Sequence, residues 1–119
     1  MSGCVGETHV KSVSDRLLGE FDRGISLLPG DLCAPFREEA GKLVSGLDLI
    51  GTFAAGMAKQ EDDLDKVAEL WRAVVTCADE CLRRMNQLTT DHPYCRAEDH
   101  QDAILDLRNR AKRLVEMHA

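Results

Sequence analysis

Between Thr76 and Cys95 the chain reads TCADECLRRMNQLTTDHPYC, which holds three of its five cysteines and one of its four histidines. Cys77 and Cys81 are four apart, so a helix would carry them on neighbouring turns of one face. Two thiols so placed are candidate ligands for a soft metal, or a redox couple. The competing reading makes Cys81 a core residue and Cys77 its flank, because buried cysteine behaves as a small apolar side chain. A disulfide between them is poorly suited, since both Cβ vectors tilt the same way along a helix. The packing role is therefore the expectation, with metal or redox chemistry as its alternative.

His92 and Cys95 do not readily complete a four-ligand site with that pair. Cys81 lies about nine residues before the expected helix end, roughly 13 Å along the axis. Zinc ligands must converge within about 2.3 Å of one ion. At most His92 and Cys95 form a separate turn site with Cys4 or His9. His100 is expected to face the core near Met85, either hydrogen-bonded there or as a proton-sensitive position. The metal or redox alternative thus rests on Cys77 and Cys81, with Cys95 or His100 as the further ligand.

Other chemistry finds little purchase. The chain lacks a Glu-x-x-His pair, a CxxCH haem attachment and a phosphate-binding glycine loop ending in Lys-Ser/Thr. No catalytic role and no cofactor are expected. A net charge of −6 argues against a general nucleic-acid binder. The cluster RNRAKR, Arg108 to Arg113, reads as a solvated helix end. The longest apolar stretch, Leu43 to Ala58, carries Asp48 and is shorter than the ~20 residues a bilayer needs. MSGCVGETHV has no secretory pattern, and an odd cysteine number favours free thiols in a reducing cytoplasm.

The elements that would position these residues are helical throughout. With 119 residues and 4% aromatics, the expectation is one domain over residues 12–119 with an aliphatic core, preceded by a flexible arm, residues 1–11. Helix one spans about Ser12 to Leu28, with Val13, Leu17, Phe21, Ile25 and Leu28 on one face and Pro29-Gly30 as its stop. Helix two runs from about Pro35 to Gln60. Its apolar residues Leu43, Val44, Leu47, Leu49, Ile50, Phe53 and Met57 surround most of the axis, so it should be the most buried. Gly51, Ala54, Ala55 and Ala58 share a face where another helix could approach closely.

Helix three starts at an Asp62 cap and repeats Leu64, Trp71, Ala78 and Met85 every seven residues. Helix four, to about Met117, continues with Ala97, His100, Ile104, Leu107, Ala111 and Leu114. Both helices are acidic at the start and basic near the end, which suits the dipole and an antiparallel hairpin. The architecture expected is an all-α antiparallel four-helix bundle, three long helices plus a shorter N-terminal one.

Two short likenesses cover small parts of the chain. GKLVSGLDLIG, Gly41 to Gly51, resembles the histidine-phosphotransfer motif at Leu43, Ile50 and Gly51. Gly41 stands at the phosphorylated position, so no phosphorelay role is implied. CADEC and HPYCR resemble fragments of cysteine-rich copper-storage bundles, which repeat CxxxC many times where this chain has it once. Neither assigns a family. The functional expectation is a small helical protein acting through contact with a protein partner or with itself as a homodimer. Trp71 and the small face of helix two are the candidate contacts.

Overall fold

The computed structural model describes residues 5–29 and 32–118. They form α1 (Val5–Ser26), α2 (Cys33–Gln60), α3 (Leu64–Asp91), a 3-10 turn η1 (Pro93–Cys95) and α4 (Glu98–His118). The all-α four-helix bundle is the fold, with no strand among the described residues. The N-terminal helix, expected to be the short one, has 22 residues against 21 in α4.

Its extra length lies in the stretch read as an arm. Residues 1–4 lie outside the described residues, but the helix is already formed at Val5 and runs through Ser12 without a break. Gly6 packs against Met57 of α2 and Leu70 of α3, and Val10 is buried. Tertiary burial thus carries the helix upstream of the cap that Ser12 suggested.

Other boundaries moved by one or two residues for local reasons. The cap of α3 is Asp63 rather than Asp62; its carboxylate accepts the Asp65 amide at 3.0 Å. Pro93 opens η1, after which Arg96 takes a left-handed conformation and α4 starts at Glu98. α1 closes in turns from Leu27 to Gly24 and Leu28 to Ile25, ahead of Pro29.

Consecutive helices run antiparallel. The start of α1 meets the end of α2 at Gly6 and Met57, and its end meets the start of α2 at Gly24 and Glu39. Between α3 and α4, Arg108 pairs with Asp79 at 3.0 Å and Gln101 with Asn86 at 2.7 Å, which fixes their antiparallel register. The charge pattern expected to join these two helices is spent partly elsewhere. Arg84 reaches both carboxylate oxygens of Asp22 on α1, at 2.9 and 3.0 Å. Among the described residues α2 and α3 each touch all the other helices, whereas α1 and α4 do not meet.

The most buried helix is α3, not α2. Eleven α3 residues are buried, including Trp71, Val74, Cys77, Ala78, Cys81, Met85 and Leu88, against six in α2. Leu64, the expected start of the repeat, is 60% exposed. On α1 the buried stripe is Val10, Ser14, Leu18 and Phe21, so Val13 and Leu17 are turned toward α2.

Candidate functional site

On the outer side of the α1–α2 pair lies an open groove of about 590 Å³. Val13 and Leu17 of α1 and Leu49, Ile50 and Phe53 of α2 give it apolar walls. Gly46 lets the helices approach there, since a methyl at that position would fall on the Leu17 side chain. At one end the His9 ring lies 4.7 Å from the Phe53 ring, centroid to centroid. Arg16 and Glu20 stand on the rim, one charge of each sign. Leu49 is 68% exposed and Phe53 45%, the solvent-facing part of the apolar surplus that was expected to be buried.

The small face of helix two is only partly closed. Ala54 is fully buried, but a Cβ built on Gly51 meets nothing within 4 Å. Gly51 and Ala55 instead line a shallower hollow of about 230 Å³ with Trp71, Leu107, Ala111 and Leu114. Trp71 belongs to the core cluster, so it is packed within the chain. Ala58 packs against the core's edge.

The thiol pair sits in the core between α3 and α1. Cys77 and Cys81 are free, with 1% and 0% of their surface exposed. Hydrogen bonds from the Cys81 thiol and from Ser14 reach the Cys77 sulfur, and the former is the main reason its pKa lies below the ordinary thiol value. Cys81 is pushed well up, first because its proton is held by Cys77 and then by burial. Ser14, the buried polar residue of α1, thus has a partner of its own.

The remaining candidate ligands do not join this pair. Cys95 is bonded to Cys33 in a disulfide, with Cα atoms 5.1 Å apart. This corrects the expectation of free thiols and removes Cys95 from any metal set. His92 stacks on Phe36 with ring centroids 4.1 Å apart. His100 lies along α2, its Nε2 positioned 3.8 Å from a Cβ built on Gly41, while its buried Nδ1 has no hydrogen-bond partner. No three His, Cys, Asp or Glu residues among those described converge on a point that could hold an ion. Cys4 lies outside the described residues.

Sequence reasoning missed Cys33 and the exposed ridge of Leu49 and Phe53. A disulfide across 62 positions leaves no local spacing signal. The ridge had a signal, apolar residues in excess of one stripe, but it was assigned to the interior. No helix of the described residues is long and apolar enough to cross a membrane. Comparison with protein-family models, with curated proteins and with solved structures finds no match.

Proposed function

We propose that this chain acts by protein contact, and that the occupant of the α1–α2 groove is a second copy. The observation that carries the reading is the exposed Leu49 and Phe53 beside an apolar groove of about 590 Å³. Contiguous apolar surface of this kind is costly to leave in water and marks contact sites. Charge restricts where a second copy can dock. With a net −6, two copies repel over most of their surfaces. The groove rim, with Arg16 and Glu20 balanced, lets them meet without that penalty.

Dilution of isotope-labelled protein followed by backbone and methyl NMR tests this. Resonances of His9, Leu17, Leu49 and Phe53 should move together with concentration, while the exposed Leu105 and Met117 stay fixed. Unchanged spectra across the range, or shifts centred on α4, contradict the reading.

A soft-metal or redox role for Cys77 and Cys81 is the second reading, supported by two free thiols four residues apart on α3 and buried together in the core. Purification without chelator and metal analysis separates the two. Stoichiometric copper or zinc that vanishes in a Cys77→Ser/Cys81→Ser variant supports it, and metal-free protein counts against the metal role.

A further inference from the structure

We infer that the Cys33–Cys95 disulfide is a redox latch on the α3–α4 connection, opened through Cys33 by low-molecular-weight thiols. Three independent features of this end of the bundle converge on that inference.

The first is access. Cys33 is half-buried whereas Cys95 is buried, so Cys33 is the more approachable end of the bond. The second is the thiolate released in the second exchange, when Cys33 leaves the mixed disulfide. Cys33 is the first residue of the 28-residue α2, and the Leu32 side chain provides no cap there. Unpaired amides and the helix dipole stabilise a thiolate at such a position. The third is backbone strain. Arg96, which follows Cys95, has φ 49° and ψ 84° and is the positive-φ residue other than glycine among those described. A left-handed conformation costs a non-glycine residue free energy that must be offset by its surroundings. The disulfide fixes Cys95 against α2 and so helps hold Arg96 there.

The exchange balances as follows. A small thiolate attacks the Cys33 Sγ, the Cys33–Cys95 bond breaks, and Cys95 leaves as a thiolate that takes a proton from water. A second small thiol then attacks the mixed disulfide and displaces Cys33. The products are one small disulfide and two protein thiols; two electrons pass from the small thiols to the protein. Release of Cys95 lets Arg96 relax and loosens the intervening residues 93–96, where the Cys95 amide bonds the His92 carbonyl at 3.0 Å. The Phe36–His92 stacking and the buried Ala97 keep the helices in place, so the bundle persists in the reduced state.

The test equilibrates the full chain in mixtures of reduced and oxidised glutathione. Acid quench, alkylation and mass spectrometry give the fraction open, and amide exchange reports on residues 92–97. The pair should titrate within the range of cellular glutathione ratios, with loss of protection at the Cys95 amide and none in the middle of α3. Cys95→Ser should accumulate a glutathione adduct on Cys33, whereas Cys33→Ser should give none on Cys95. Arg96→Gly relieves the left-handed cost in the closed form and should make the disulfide about fivefold harder to reduce, the equivalent of ~1 kcal/mol. A pair that stays oxidised at the most reducing ratio overturns the latch. So does unchanged protection in the reduced chain, or an Arg96→Gly midpoint that does not move.

Discussion

α2 and α3 are the same length, 28 residues, and each touches all the other helices, yet they end in opposite conditions. Beyond the exposed Leu64 of its first turn, α3 confines its large apolar residues to one broad stripe and packs them against the core. α2 distributes them around its axis, and the bundle encloses only the side carrying Leu43, Leu47, Ile50 and Ala54. The remainder, Leu49 and Phe53, faces water beside α1. The lesson is that apolar residues beyond one stripe need a further partner surface, and among the described residues the other helices do not supply it.

The comparison breaks first if the two sides of α2 respond alike to truncation. Leu43→Ala should cost about 2–5 kcal/mol, since Leu43 is fully buried. Leu49→Ala should fall within about 0.5 kcal/mol when measured at a concentration where the chain is monomeric. Urea unfolding of both variants measures the contrast.

Next in size is the tie between α2 and η1. A disulfide closing a 62-residue separation should contribute on the order of 4 kcal/mol by constraining the unfolded chain. The left-handed Arg96 reduces this by roughly 1 kcal/mol. Unfolding of Cys33→Ser/Cys95→Ser against the oxidised chain should therefore show a loss of about 3 kcal/mol.

On the α3 side, the buried thiols make stability sensitive to alkali. The Cys81 pKa is raised in the folded state, so its contribution is whole below the unfolded thiol value and declines above it. Above about pH 8.5 the unfolded chain releases a proton that folded Cys81 keeps, and stability should fall by about 1.4 kcal/mol per pH unit. Cys81→Ala should flatten that slope; unfolding free energies from pH 7 to 10 (about three units) provide the check.

The smallest effect separates two glycines of α2. Gly51→Ala meets nothing within 4 Å and should stabilise the helix by up to about 1 kcal/mol. Gly46→Ala should show little or none of that gain, because Leu17 must shift to admit the methyl. Thermal unfolding of the two variants gives the comparison.

The helical period made most of this fold legible. Trp71, Ala78, Met85, Ile104 and Ala111 all appear in the repeat and all are buried. Cys77 and Cys81 as packed residues follow from the same pattern. What escaped the sequence depends on where neighbouring helices lie. The period of α2 cannot say which flank of an all-round apolar helix remains uncovered. The pairing of Cys33 with Cys95 requires the starts of α2 and α4 to share one end of the bundle, which only the assembled topology provides. Val5 to Lys11 carry no clear apolar period, and they are helical because Gly6 and Val10 pack against the core.

The most direct test of the open flank of α2 is solution mass by light scattering over a concentration series, for the natural chain and for Leu49→Glu. The natural chain should rise from 13.2 kDa toward twice that mass, and Leu49→Glu should remain at 13.2 kDa. A natural chain that holds the monomer mass at every concentration, or a dimer that Leu49→Glu leaves intact, contradicts the account.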